Sequence, residues 1–139
     1  MKKTLLYISL LTVMLVLGSC TRNHGDIGIW FGTWHIESIT DGGTLTPVEG
    51  DYFFQFQNKV FRVSWVGDHE QIVESFGTWE ENNGKMTVSF PDSTAFYIEM
   101  PGLENYNDFT VTTTSSREVT FTKTDATGTT FAYHLKKQP

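Results

Sequence analysis

The sequence predicts an all-β domain, built either as an antiparallel barrel or as a β-sandwich. Segments in which apolar and polar residues alternate recur about eight or nine times at roughly 12-residue spacing, which is typical of both folds. Turn-forming residues separate these segments. The strongest turn signal is Asn83-Gly84, because a type I′ hairpin needs positive φ at both central residues. No window has the convincing periodicity of an amphipathic helix.

The first predicted strand opens on the Gly-x-Trp motif Gly32-Thr33-Trp34 and runs to Thr40. The later strands are expected to pack against it, so the side of this strand that is apolar shows which side of the sheet faces the core. The residues expected on its core face are Trp34, Ile36 and Ser38. The residues expected on its outer face are His35 and Glu37.

The same alternation predicts the later strands. They cover residues 52–56, 61–65, 71–81, 86–90, 94–100, 109–111, 119–121 and 129–137. The segment 71–81 has no clean single phase, which a bulge near Gly77 would explain. The strand 94–100 is expected to end at Pro101-Gly102, because proline and glycine interrupt strands.

The first residues form a leader. A basic start with Lys2 and Lys3 precedes an apolar stretch, residues 4–17, which is too short to span a bilayer as a stable helix and is typical of a secretory signal. The stretch ends in Leu17-Gly18-Ser19-Cys20, which resembles the bacterial lipobox and implies cleavage before a lipidated Cys20. We therefore divide the chain into a signal peptide (1–19), a lipidated tether and lead-in (20–30) and a β-barrel domain (31–139).

Lipidation predicts the location of the protein. Each buried methylene contributes about 0.8 kcal/mol, and a diacylglyceryl thioether with an N-acyl chain such as palmitate supplies three chains. By resemblance to known lipoprotein sorting, Thr21 favours the outer membrane, and the lack of an acidic cluster in 21–25 slightly favours its periplasmic face. The alternative is an ordinary secreted protein with a stray thiol, although Cys20 is the only cysteine in the chain.

Charge and cysteine usage exclude several partners. Removal of the leader lowers the formal charge from −6 to −8, so nucleic acid and anionic lipid surfaces are not expected partners. No internal disulfide can form from one cysteine, so the core alone must supply the stability. The aromatic residues, 14% of the chain, are the main material for that core.

Three groups of residues carry a resemblance to a known family. They are Gly32-Thr33-Trp34, then Gly77-Thr78-Trp79-Glu80 with residues 83–88, and finally Val119-Thr120-Phe121 with residues 133–137. Together they resemble the lipocalin-like lipoproteins of Bacteroidetes. The resemblance implies an up-and-down barrel of about eight strands that is open at one end and closed at the other by Trp34, which is expected to be a packing residue.

The resemblance also implies a basic side chain packed over that tryptophan. If the last strand pairs antiparallel with the first, its end lies beside the beginning of the first strand. Lys136 or Lys137 is then expected to contact Trp34, in a cation–π interaction beside Gly32. The alternative is that both lysines only solubilise a frayed C-terminus.

The resemblance favours binding as the function. A barrel of about eight strands is wide enough either for its own side chains or for one small ligand. The candidate ligand-contacting residues at the loop ends are Trp65, Tyr97 and Tyr106, each of which could instead serve in packing. We expect an outer-membrane-anchored binding protein for a small apolar or amphipathic ligand. The alternative is a non-enzymatic structural or protein-interaction lipoprotein of the envelope with a filled barrel, and an empty apolar volume would separate the two.

Catalytic and metal sites are not predicted. The four histidines are too scattered for a zinc site, although His35 and His134 would become neighbours if the last strand paired suitably with the first. Glu80 and Glu81 point to opposite faces of a strand, and Ser115 lies in a turn without a nucleophile motif. No phosphate-binding loop is present. The sequence therefore predicts no catalytic residue, no metal ligand, no cofactor and no enzymatic activity.

Overall fold

The computed structural model describes residues 28–91 and 99–139. The predicted signal peptide, the lipidation site Cys20 and the candidate residue Tyr97 lie outside this part of the chain. So does most of the strand predicted at 94–100, and the two of its residues that are described, Glu99 and Met100, belong to no strand. Among the described residues, no helix has the length and apolar character needed to cross a membrane.

Nine antiparallel strands form one sheet in the described residues. They are β1 (Gly32–Asp41), β2 (Thr44–Thr46), β3 (Asp51–Gln57), β4 (Val60–Val66), β5 (Ile72–Asn82), β6 (Lys85–Ser89), β7 (Tyr106–Ser115), β8 (Glu118–Thr124) and β9 (Thr130–Lys137). Each long strand pairs with the next along the chain, and β1 also pairs with β9. The result is a closed eight-stranded up-and-down barrel, with β2 as a short extra strand on β1. This confirms the predicted barrel, and the sandwich alternative is wrong.

The pairing of β1 with β9 runs from Trp34 opposite Lys137 to Asp41 opposite Phe131. A β-bulge between Ile36 and Ser38 interrupts its register. Because the extra residue reverses the phase beyond it, Ile39 is fully buried where simple alternation predicts Ser38. The predicted core face of β1 is therefore correct for Trp34 and Ile36 and wrong for Ser38.

The β5 strand is regular, so the bulge predicted near Gly77 is wrong. Its pairing with β4 ends at Thr78, and the pairing with β6 begins at the same residue without a shift. The apparent loss of phase comes from Ile72 and Phe76, large apolar residues that point outward and are more than half exposed. Gly77 faces inward, where a β-carbon would run into the Ser89 carbonyl oxygen.

The turn between β5 and β6 has the predicted geometry. Asn82 and Lys85 are paired, and the two residues between them have positive φ, 50° at Asn83 and 78° at Gly84. This is the backbone that a type I′ hairpin requires. The local turn rule therefore predicted this element correctly.

Aromatic side chains fill the interior of the barrel. Phe54 contacts Phe61 with ring centroids 5.0 Å apart, and Phe109 contacts Phe121 at 5.3 Å. Edge-to-face and tilted contacts of this kind add to the free energy gained by burying the rings. The largest fully buried side chains are Trp34, Tyr133, Phe54, Phe56, Phe61, Phe109, Phe121, Ile39 and Met86. Side chains, rather than an empty cup, thus occupy the barrel axis.

The closed end of the barrel is the end at which β1 begins. The indole nitrogen of Trp34 donates a hydrogen bond of 3.0 Å to the carbonyl oxygen of Trp30, whose ring packs 5.8 Å away. Lys137 Nζ lies 5.5 Å from the Trp34 ring centroid and donates to the Ile29 carbonyl oxygen at 2.7 Å. Gly32 has a φ of 119° and leaves room for the Lys137 side chain. One lysine thus links the lead-in, the first strand and the last strand.

The other candidate lysine, Lys136, lies on the outside. It is exposed and stands opposite His35 on β1, because alternation along β9 turns successive side chains to opposite faces. The two lysines proposed for barrel closure therefore differ in position, and the contact with Trp34 belongs to Lys137.

The segment 99–105 lies across the open end of the barrel as a plug. Its apolar residues Met100 and Leu103 are buried in the core. The Tyr52 hydroxyl donates to the Glu99 carbonyl oxygen at 2.9 Å, and the Tyr133 hydroxyl donates to that of Pro101. Tyrosines from two strands thus hold the plug by its backbone.

A buried lysine holds the other half of the plug. Lys123 on β8 is only 3% exposed, and its ammonium donates to Glu104 Oε2 at 2.9 Å and to Asn107 Oδ1 at 2.8 Å. Asn107 is fully buried, and its amide bonds both the N–H and the C=O of Glu104. A buried charge is tolerated only when it is paired and hydrogen-bonded, and the plug supplies both.

We predict that Lys137→Met lowers the free energy of unfolding by about 1–3 kcal/mol, because it removes the cation over Trp34 and a charged hydrogen bond but keeps an apolar stem. Chemical denaturation monitored by tryptophan fluorescence measures this. Lys136→Met is the matched control and should change stability by less than about 0.5 kcal/mol. Equal effects of the two variants would contradict the role of Lys137.

We predict that Glu104→Ala lowers the free energy of unfolding by about 2–4 kcal/mol, because it leaves the Lys123 ammonium buried without its counter-charge. The double variant Glu104→Ala with Lys123→Met should recover part of this loss, since the stranded charge is gone. A double-mutant cycle by urea denaturation measures the coupling, expected at about 1–3 kcal/mol. Additive effects would show that the pair does not hold the plug.

Candidate ligand site at the open end of the barrel

A cleft of about 400 Å³ lies beside the plug at the open end of the barrel. Its apolar walls are formed by Pro47, Val48, Tyr52, Trp65, Val73 and Pro101. Two acidic residues, Glu49 and Glu99, complete the lining. The volume is within the range of about 300–1,000 Å³ that small-molecule sites occupy.

Strand register brings the walls together. Tyr52 on β3 stands opposite Trp65 on β4, which stands opposite Val73 on β5. All three side chains have the inward phase, at the level where their strands reach the open rim. Neighbours of this kind on one face of a sheet lie about 4.5–5.5 Å apart between β-carbons, so they form a continuous row.

Trp65 is fixed in place. Its indole nitrogen donates to the Glu49 carbonyl oxygen at 2.7 Å. Gly50 and Gly67 lie so close to the ring that a β-carbon at either position would collide with it. The indole is therefore a rigid wall whose polar N–H is already satisfied, which leaves its apolar and π surface for contact.

The acidic residues give the cleft a negative character. Burial raises the pKa of the Tyr52 hydroxyl, and the nearby negative charge of Glu99 raises that pKa further. The hydroxyl is thus a neutral hydrogen-bond donor, committed to the Glu99 carbonyl oxygen. Burial likewise raises the pKa of Tyr133, with added contributions from Asp125 and Glu104.

The two described residues predicted to contact a ligand, Trp65 and Tyr106, lie in different places. Trp65 lines the cleft. Tyr106 lies on the outer face of β7, opposite Ser89 and 62% exposed, and does not line it. The sequence places Tyr52 and Val73 in predicted strands and does not single them out; the alternation of residues 52–56 indicates an inward Tyr52, but the unclear phase of 71–81 hides Val73. Glu49 and Glu99 carried no sequence signal, because their segments meet only in the folded chain.

The two histidines of the outer wall do not form a pair. His35 stands opposite Lys136 and His134 opposite Ser38, so the two histidines lie on adjacent strands but not directly opposite each other. The His35 ring nitrogens lie 2.9 Å from carboxylate oxygens of Glu37 and Asp51. Burial lowers the pKa of His35, but the hydrogen bonds and charges of the two carboxylates outweigh this and raise it.

Metal binding gains no support from the described residues, in which no three histidine, cysteine or acidic side chains are grouped closely enough to hold an ion. The chemistry that the cleft itself offers is different. Aromatic and aliphatic walls exclude water from apolar groups, and carboxylates attract positive charge. The arrangement is therefore suited to non-covalent binding.

Several solved structures share this fold. A lipocalin-like protein from Bacteroides uniformis is 19% identical, with a TM-score of 0.62, over 80% of this chain and 100% of that one. An uncharacterized protein from Bacteroides eggerthii is 13% identical, also with a TM-score of 0.62, over 78% and 99%. A redesigned β-barrel is 14% identical, with a TM-score of 0.52, over 80% and 93%. At these identities the likeness concerns the fold alone.

The family assignment comes from the sequence. Among curated proteins, no sequence matches this chain. The pattern of the lipocalin-like domain, however, matches residues 13–137, which include every strand of the barrel. The chain therefore belongs to the lipocalin-like domain family.

Proposed function

We propose that the protein binds a small apolar or amphipathic molecule in the cleft at its open end, and that a lipid on Cys20 holds it on the periplasmic face of the outer membrane. One observation carries the first part of this proposal. The cleft is the place where an aromatic wall, formed by Tyr52 and Trp65, borders a volume of ligand size. The lipocalin-like fold is typical of binding proteins, which favours binding over catalysis.

The filled interior determines where a ligand would sit. Because Phe54 and Phe109 are fully buried among other rings, a ligand cannot enter along the axis without displacing the core. The plug covers the neighbouring part of the open end. The ligand therefore occupies the rim between the loop 47–50 and the ends of β3, β4 and β5.

A second function is supported by the same filled core. A barrel that needs no ligand to complete its interior can instead present its loops to another envelope protein. Large apolar side chains on the outer surface, such as Ile72 and Phe76, would suit such a contact. Native mass spectrometry of protein purified from its own envelope distinguishes the two functions, because a bound small molecule favours the first and a bound protein the second.

We predict that the neutral fluorescent probe N-phenyl-1-naphthylamine binds in the cleft, and that Val48→Trp weakens its binding at least tenfold. Val48 is partly exposed in a loop, so a large side chain there fills the cleft without disturbing the core. Titration of the probe fluorescence measures the affinity. Tyr106→Trp adds bulk on the outer wall and is the control. Probe binding unaffected by Val48→Trp would place the site elsewhere.

We predict that Cys20→Ala releases the protein from the membrane, as soluble or unprocessed chain, because the acyl chains supply the anchoring free energy. Fractionation of the envelope followed by immunoblotting measures this. Ser19→Ala keeps the cysteine and a small residue before it, and should remain anchored. Cleaved Cys20→Ala protein that still sedimented with the outer membrane would refute the proposed anchor.

A further inference from the structure

The two ends of the barrel differ in charge. The acidic residues at the open end include Asp41, Glu49, Asp68, Glu70, Glu99 and Asp125, all at strand ends or in loops of that rim. The closed end is mixed, because the basic residues Lys59, Lys85, Arg117, Lys136 and Lys137 lie near the acidic residues Glu80, Glu81 and Glu118. This distribution gives the mouth a negative potential, which raises the local concentration of positively charged molecules.

The other two cations of the described barrel, Lys123 and Arg62, are already paired with carboxylates. Lys123 is buried, and its ammonium is bound by Glu104 and Asn107. Arg62, on the outer wall of β4, pairs with Glu74 at 3.1 Å. In the described residues, neither of these two cations is therefore placed to receive an anionic group of a ligand in the cleft.

The lining of the cleft has the components of a cation site. Trp65 and Tyr52 stand side by side on adjacent strands, and the faces of aromatic rings attract ammonium groups. Glu49 and Glu99 border the same volume and supply formal negative charge. A carboxylate-bearing ligand would instead meet two like charges, which disfavours its binding.

We infer that the cleft selects positively charged ligands, an organic ammonium group with an apolar substituent, over neutral and anionic molecules of the same size. This inference rests on the proposed function, because it names the chemical class of the ligand for the same site. The ammonium group lies toward Glu49 and Glu99, and the apolar part lies against Trp65, Val73 and Val48.

Three ligands that share an eight-carbon chain and differ in the charge of the head group test the inference. They are octyltrimethylammonium, octanol and octanoate. Isothermal titration calorimetry should show the ammonium binding at least tenfold more tightly than octanol, with octanoate weakest. Raising the salt concentration should lower the affinity for octyltrimethylammonium more than the affinity for octanol, because dissolved ions screen interactions between charges. The double variant Glu49→Gln with Glu99→Gln should lower ammonium affinity at least tenfold and leave octanol affinity within about twofold.

A matched control removes the same charge from elsewhere. Glu80→Gln with Glu118→Gln alters two exposed acids nearer the closed end and should leave ammonium affinity within about twofold. Equal loss in the two double variants, or octanol or octanoate binding as tightly as the ammonium, would overturn the inference while leaving the binding function intact. If none of the three binds in a manner sensitive to Val48→Trp, the proposed function fails together with the inference.

Discussion

The antiparallel pairing of the first strand with the last is the constraint on which the structure depends. A sheet of eight strands without it would expose two edges with unpaired backbone groups, which invite association with other chains. Closure removes both edges and fixes the register of every strand between them. It also brings Lys137 to Trp34, residues separated by almost the whole length of the domain. The contact between Lys137 and Trp34 at the closed end therefore depends on the pairing of the first strand with the last.

Closure around so many aromatic residues displaces binding from the axis to the rim. The rings of Phe54, Phe109, Phe121 and Tyr133 meet in the middle of the barrel, and aliphatic side chains pack around them, so the barrel is completed by its own side chains. The plug then needs a polar support at the open end, and Lys123, Asn107 and Glu104 supply it. The cleft lies beside the plug, where two loops and three strand ends meet.

Local rules explain which parts of the structure follow from the sequence. Alternation and turn chemistry predict the strands, the hairpin at Asn83-Gly84 and, through pairing direction, the contact of Trp34 with a terminal lysine. They fail at the β1 bulge, where one extra residue reverses which side chains point inward and buries Ile39. They also fail where a large apolar side chain faces outward, as at Phe76.

The cleft was only partly predictable for a related reason. Trp65 is recognisable as an aromatic residue near a loop end, but several of its partners come from the loop 47–49 and the segment 99–101, about 15 and 35 residues away along the chain. Alternation also assigns Lys123 the same phase as Phe121, yet only the folded structure shows the carboxylate and amide that make a buried ammonium tolerable there. Contacts between residues far apart in the sequence leave no recognisable pattern in any short stretch of it.

The position of the lead-in has a consequence for orientation. Trp30 packs beneath Trp34, so the chain joins the barrel at its closed end, where the basic side chains also lie. Trp30 is ten positions after Cys20, a reach of at most about 35 Å. With the proposed lipid in the bilayer, the closed end stands toward the membrane and the acidic mouth opens into the aqueous compartment. Ligands would then be exchanged with solution or with a facing partner, and not drawn directly from the bilayer that holds the anchor.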